Sequence, residues 1–585
     1  MFRSISALAI VSYCLFPLSA RAQVLDDIDN VHPSWTLSQL RPAAWHVQVG
    51  GMAFLPNGKL LILEHVDPGE NHTGVPTAKG KLWVVDNPTA SGEAIQYHQL
   101  ASGLKEPVGI MVLNGKVIIT EKTMLTEWTL DAGVTTATMT RKIADIPHDK
   151  SGDVNFQEYA FGVLYKDGYF YVAGGGAVKG GGKSFDDSPT SLDQEKVGAM
   201  LKIKDSDGSI TMVNGGMRAS NGIAWGPDSS LWMTDNQGSY RPASEFTAVV
   251  EGANYGYFCK TNAFSSKPVT PPSIWMIHGE IGRSPTYPRL MAHGIYAGQF
   301  LMGDLSQGGI KRAFVEKVDG AWQGAVFSFS GGLEVGIEDI LEDDQGVLYV
   351  GGLGKGDVNN WGWNAKLFGL QKLTPKAGST TFEILAIRSR KTGMEIEFTK
   401  PVGAGADVAG SYSVVAGEMN PQSGYGLGSM ENKKTLNITA VTVSPDKRKV
   451  FLELAGLTAK RALTIKTLGV KSETGETPRC PAGWYTLNAI SQTDPFATTG
   501  LVQKNPALAS ASAIRLHATR GGVNVSLPFD GNHSLSLRTL QGRQVAERTG
   551  NGPKDYFFSG STLPSGLYLL EVKAGGFTFR NKVAF

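Results

Sequence analysis

Six times between Gly50 and Gly352 the chain repeats one phrase, a hydrophobic strand, a turn of the Asn-Gly or Asp-Gly kind, and a second strand. The copies are GGMAFLPNGKLLILEH (50–65), VGIMVLNGKVIITEK (108–122), FGVLYKDGYFYVAGG (161–175), NGIAWGPDSSLWMTDN (221–236), a weaker YAGQFLMGDL (296–305) and GIEDILEDDQGVLYVGGL (336–353). Asn-Gly and Asp-Gly tolerate the positive φ of tight turns, so each copy reads as a hairpin. A spacing of about 40–75 residues is that of a propeller blade with loop insertions. The repeats predict an all-β chain whose larger part, 32–374, is a six-bladed β-propeller with its working place at one mouth of the central channel.

Stretches such as Leu60-Leu61-Ile62-Leu63 and Val117-Ile118-Ile119 are too apolar for sheet edges and suit strands packed between neighbouring blades. The Gly-rich GGGAVKGGGKS (174–184) and the Pro-rich SSKPVTPPSIW (265–275) read as loops over one face. LTPKAGSTT (373–381) reads as a linker. Beyond it, 380–490 alternates apolar and polar residues around a Pro-Asp turn, the pattern of an immunoglobulin-like β-sandwich. Residues 491–512 are small and polar, a second linker, and 513–585 alternates again as a small C-terminal β-sandwich.

The N-terminus carries Arg3, an apolar stretch from Ile5 to Leu18 and the small-x-small site Ala20-Arg21-Ala22, so 1–22 reads as an export signal and the protein as secreted or cell-surface, with the periplasm as the alternative. No later segment is apolar enough to span a bilayer as a helix. A formal net charge of +2 gives no reason to expect nucleic acid or an anionic membrane as partner. Of three cysteines, Cys14 leaves with the signal, and Cys259 and Cys480 fall in different expected domains, which disfavours a disulfide. There is no Gly-x-Ser-x-Gly elbow, His-Glu-x-x-His or P-loop, and no carboxylate pair whose spacing alone marks a glycosidase.

The fourth repeat, MRASNGIAWGPDSSLWMTDNQG (217–238), followed by EFTAVVEGANYGYF (245–258), resembles the signature of the soluble quinoprotein glucose/sorbosone dehydrogenases. Those proteins are six-bladed propellers that hold pyrroloquinoline quinone (PQQ) and Ca²⁺ at the channel mouth and oxidise sugars by hydride transfer. The resemblance implies that Arg218 contacts the quinone, that Gln237 and Gly238 belong to the loop supplying calcium oxygens, and that Tyr255, in Asn254-Tyr255-Gly256, sits in the turn closing that loop. The residue types suit the task, since a quinone bearing carboxylates needs an arginine for its charge and a cation for its carbonyl. The donor alcohol also needs a base for its hydroxyl proton.

The pattern departs from the family in three places. The family's basic histidine precedes the third repeat; here that stretch holds Gln157 and Glu158, with His148 further upstream, so His148 and Glu158 are the candidate bases. At the family's fifth-blade lysine stands Gln307, with Lys311 and Arg312 displaced nearby. At its two sixth-blade arginines stand Gly336 and Glu338. These departures keep open an alternative, a non-catalytic propeller that binds carbohydrate or a cell surface, and a third reading, a hydrolase or lactonase with one channel Ca²⁺.

Other residues carry two readings each. Asp235, Asn236 and Gln237 form an oxygen-rich loop suited to Ca²⁺, or an Asx turn closing the hairpin. Glu64-His65 reaches the mouth or is a hydrogen-bonded loop pair; Asp304 is catalytic or pairs with Lys311 or Arg312. His278-Gly279-Glu280 binds metal or sugar, or caps the rim; Trp361 and Trp363 stack on sugars or pack at a domain junction. The segment 274–326 resembles a propeller type of large secreted bacterial proteins, and the C-terminal LPSGLYLLEVKAGGFTFRNKVAF resembles sorting domains that engage secretion machinery. The expected ligand is a small sugar or a polysaccharide.

Overall fold

The structure is a computed structural model. It describes residues 29–497, apart from 67–76, 149–158, 177–196, 258–263, 355–362, 364–365 and 422–427, and most of 514–584. The proposed signal at 1–22, Glu158, Cys259 and Trp361 therefore lie outside the described residues. Among the described residues the regular structure is antiparallel β-strand with short 3₁₀ turns and no α-helix, and no helix is long and apolar enough to cross a membrane.

Six four-stranded units follow one another along the chain. Their first strands are Val49–Phe54, Gly109–Leu113, Ala160–Lys166, Gly222–Trp225, Pro285–Leu290 and Gly336–Glu342. Each lies against the first strand of the next sheet, and the sixth lies against the first, so the six strands close a ring. The sixth sheet takes its outermost strand, Trp35–Gln39, from the start of the described chain, where it pairs with Phe368–Pro375. This tie between the two ends of the ring was not legible in the repeats.

The repeated glycines have a steric cause. A Cβ on Gly109 would stand 2.9 Å from the carbonyl carbon of Gly162, and one on Gly222 would stand 2.5 Å from Cα of Tyr287. The first strands approach backbone to backbone, which leaves room for nothing larger.

The apolar runs have an equally simple cause. Leu61 and Leu63 pack with Ile110, Val117 and Ile119 of sheet two, while Leu60 and Ile62 pack with Tyr349 and Leu370 of sheet six. Both faces of the second strand are therefore dry, as continuous Val/Ile/Leu runs require. Ile118 repeats the logic one sheet on, against Phe170 and Val172. Each such side chain, fully buried, contributes about 1.5–3 kcal/mol.

The fifth repeat differs from its expected position. Its first strand is Pro285–Leu290, upstream of the quoted phrase, with a register shift between Pro285 and Pro288. Two prolines hide it, because proline removes a ladder donor and argues against strand.

The fourth strand of sheet five, Ala321–Ser330, pairs on its outer side with Ala482–Leu487, so one sheet of eight strands runs on into the next unit. That unit is two four-stranded layers around a core that includes Ile387, Ile396, Leu452, Val414, Leu463 and Tyr485. Residues 515–584 form two further sheets around a separate core that includes Val525, Leu535, Leu570 and Val572. Cys480 is buried.

Candidate functional site

The strand registers fix one end of the ring as the meeting place of the candidates. The start of each first strand pairs with the end of the second, as in Val49↔Glu64, Gly109↔Thr120, Ala160↔Gly174, Gly222↔Thr234, Pro285↔Asp304 and Gly336↔Leu353. The side chains just beyond these positions belong to the same end.

In sheet four, Asp235 closes the second strand and is fully buried. Its carboxylate accepts from Arg218 N (3.0 Å), Ala219 N (2.8 Å) and Asn236 N (2.9 Å). Those bonds pin 218–219 to 235–236, so Asp235 is a clasp for the loop. Arg218 is buried, and its side chain lies on Gly238, where a Cβ would stand 2.3 Å from its Cδ. Arg218 and Gly238 are thus packed together. Gln237 Oε1 lies 2.6 Å from Ser244 Oγ, and the 238–241 turn is closed by Gly238 N to Arg241 O and Arg241 N to Gly238 O. Ser220 Oγ and Asn236 Oδ1 are buried and have no hydrogen-bond partner among the described residues.

Tyr255 is also buried, but its hydroxyl donates to Ala248 O (3.1 Å) and accepts from Val250 N (2.9 Å). Ala248 pairs with Trp232, at the other end of the second strand from Asp235. The Tyr255 hydroxyl therefore braces the far end of sheet four, and burial raises its pKa.

In sheet five, Asp304 repeats the clasp, accepting from Arg283 N (2.7 Å), Ser284 N (3.1 Å), Ser306 N (3.1 Å) and Gln307 N (2.7 Å). Burial pushes its carboxyl up, opposed first by the charge of Lys311. Lys311 is fully buried beside it. In sheet six, Glu338 is buried, with Oε1 unpartnered among the described residues. Its pKa is raised well above 4.5 by burial and then by neighbouring Asp339.

His148 follows the fourth strand of sheet two, and its Nδ1 lies 2.9 Å from Ile146 O. A carbonyl only accepts, so the proton sits on Nδ1 and Nε2 is the basic nitrogen of the neutral ring. Glu158 lies outside the described residues.

A second constellation at the same end draws on three sheets. His65, at the end of the second strand of sheet one, meets the Tyr159 ring edge-on at 5.4 Å. Lys122 Nζ lies 4.7 Å from the same ring and 3.1 Å from Glu106 Oε2, with both charged groups buried. Aligning the repeat ends would have found most of it, because Glu64-His65, Glu121-Lys122, Asp235-Asn236 and Asp304-Leu305 occupy equivalent places. Glu64 itself accepts from Trp83 Nε1 (2.8 Å) and Lys81 Nζ (3.2 Å), and Glu121 accepts from Lys105 N (2.6 Å), so the strand-ending acid holds structure and the following residue stands at the same end of the ring.

Two other candidates pack. Glu280 accepts from Trp484 Nε1 (2.9 Å), tying the 278–280 turn to the following unit. Trp363 lies over Gly308, where a Cβ would stand 2.6 Å from its ring. No group of three or more His, Cys, Asp or Glu side chains suited to a metal occurs among the described residues.

No protein-family model matches the chain, and no curated protein sequence matches it. Solved structures similar to it include the PQQ-bound aldose sugar dehydrogenase of Streptomyces coelicolor, at 15% identity over 59% of this chain and 99% of that one, with a TM-score of 0.41. The PQQ domain of a pyranose dehydrogenase from Coprinopsis cinerea is similar at 12% identity over 59% and 96%, with a TM-score of 0.42. A calcium structure of a carbohydrate-active enzyme of family AA12 from Trichoderma reesei is similar at 12% identity over 61% and 99%, with a TM-score of 0.41.

Proposed function

We propose that the six sheets are the blades of a β-propeller and that its mouth is a sugar site of the quinoprotein dehydrogenase type, in an exported protein. The observation that carries this reading is the packing of Arg218 on Gly238 beside Gln237 at one end of the ring. The buried oxygens of Ser220 and Asn236 adjoin the same loop. A hard cation such as Ca²⁺ takes oxygen ligands, side-chain carbonyls among them, and a guanidinium is what pairs a carboxylate. Sheet four therefore fits a cation and one anionic group. Bound there, PQQ would supply the hydride acceptor. Arg218 would hold a quinone carboxylate, and Gln237, Asn236 and Ser220 would face the cation. His148 Nε2 would take the alcohol proton, with Glu158 as the alternative base.

Sheets five and six do not add to that fit. Lys311 is committed beside Asp304, and Glu338 places a carboxyl where an anionic quinone wants a cation. Glu338 favours a second reading, a propeller that binds carbohydrate or a cell surface at the same mouth without quinone. In both readings the 1–22 segment directs export, 380–490 is an immunoglobulin-like spacer, and 513–585 engages the secretion machinery.

The test is reconstitution of the mature chain with PQQ and CaCl₂, followed by quinone absorbance and dye reduction over a panel of aldoses. The dehydrogenase reading expects both signals, and loss of activity by at least a hundredfold in Arg218→Ala. Sugar binding that appears without either signal and is weakened by Arg218→Ala supports the second reading, and activity that survives Arg218→Ala overturns the placement of the cofactor.

A further inference from the structure

The ring has a second face, and a groove opens on it. In sheet three the mouth end is where Ala160 meets Gly174; the opposite end is where Lys166 meets Tyr169. There a groove of about 620 Å³ is lined by Tyr165, Tyr169, Asp167, Arg141, Lys204 and Asp205, among others. That volume falls within the range of small-molecule sites.

Its walls are held before any ligand arrives. Arg141, on the outer strand of sheet two, donates from Nη1 to Asp205 O (2.7 Å) and from Nη2 to Asp205 Oδ1 (2.6 Å) and Glu127 Oε2 (2.9 Å). It thereby clamps the 205–208 turn of sheet three onto sheet two. The Tyr165 hydroxyl donates to Asp205 Oδ2 (3.3 Å), and the Tyr165 ring leans on Phe170 with centroids 4.9 Å apart. Lys202 Nζ lies 4.3 Å from the centre of the Tyr169 ring and steadies it from one side. Fixed side chains of this kind lower the ordering cost of binding.

The chemistry of the lining selects the ligand class. Arg141 and Lys204 are balanced by Asp205 and Asp167, and Lys204 is further paired with Asp207 (2.9 Å). A charge-balanced groove offers no net attraction to a phosphate or an acidic peptide. Two tyrosines with apolar faces and polar tips, flanked by fixed carboxylate acceptors and guanidinium donors, match a ligand that shows both C–H faces and hydroxyls. We infer that this groove binds a short neutral oligosaccharide, at a site separate from the mouth and independent of whether the mouth carries quinone.

The test is calorimetric titration of the mature full-length chain with laminarihexaose, cellohexaose, xylohexaose and maltohexaose. At least one is expected to bind at millimolar affinity or better. Tyr169→Ala is expected to weaken that binding at least tenfold and Tyr169→Phe less than threefold, with unchanged thermal melting in both. Arg218→Ala, at the other face, is expected to leave it unchanged. The assignment is overturned if none of the four binds, if Tyr169→Ala lowers neither the number of sites nor the affinity, or if the Tyr169-dependent binding is lost in Arg218→Ala.

Discussion

The hydroxyl of Tyr287, on the first strand of sheet five, donates to the carbonyl of Val108, which enters the first strand of sheet two. In a ring of six, these two sheets stand opposite each other. The same oxygen accepts from Gly162 N of sheet three (2.6 Å), and Tyr287 is buried. One phenol thus spans the axis and holds three sheets. Tyr287→Phe leaves a buried carbonyl and a buried amide without their partner, at about 1–3 kcal/mol for each group left unsatisfied. A fall in the urea midpoint with unchanged slope is the expected result; an unchanged midpoint would show that water enters the axis and replaces the hydroxyl.

Gly109→Ala tests the ring directly. The added Cβ would press on three backbone atoms of Gly162, at 2.9–3.1 Å. Backbone cannot rotate away as a side chain can, so the first strands of sheets two and three must separate. Overpacking of this kind costs about 1–3 kcal/mol. Thermal melting should drop, whereas Gly115→Ala, at a turn with nothing within 4 Å of the added carbon, should lose only what its φ of +78° demands.

Glu338 makes stability depend on pH. Burial raises its carboxyl above 4.5 in the folded chain, so the folded state keeps its proton where the unfolded state releases it. Between the unfolded and folded values the folded state binds more protons, and its stability falls as pH rises through that window. Glu338→Gln removes the titration and keeps the volume. The variant should match the parent near pH 4 and become the more stable of the two as pH rises toward 8. Parallel profiles in urea unfolding at pH 4, 6 and 8 would mean that Glu338 is solvated.

The elements that could be read from sequence are those whose cause is local. Leu60-Leu61-Ile62-Leu63 announces a strand dry on both faces, and the two cores it joins bear that out. Arg218, Gln237 and Gly238 were legible together because one stretch of 217–238 carries all three. The fifth first strand was hidden by Pro285 and Pro288, whose missing donors are tolerated at a register shift. Pairing of Val326 with Trp484 could not be read, because no local pattern says which distant strand an open sheet edge will accept. Of the His65, Tyr159 and Lys122 cluster, His65 and Lys122 stand at equivalent repeat ends that an alignment would match, but Tyr159 precedes its repeat and only the ring geometry brings it to them.

Asp235 links the fold to the proposed site. Its two oxygens accept three amide protons, those of Arg218, Ala219 and Asn236, and so set where the Arg218 loop stands relative to Gly238. Asp235→Asn turns one oxygen into an NH₂ group that faces an N–H donor. Hydrogen bonds to a charged acceptor contribute about 1.5–3 kcal/mol each, so a loss of that order is expected in global stability. The loop should also loosen, and any ligand held by Arg218 should weaken at least tenfold. Hydrogen exchange at the Arg218 and Ala219 amides reads the clasp itself: protection should collapse in the variant while that of Thr120 and Met302, in other sheets, is kept. If those two amides stay protected, Asp235 does not set the loop, and its burial has some other cause.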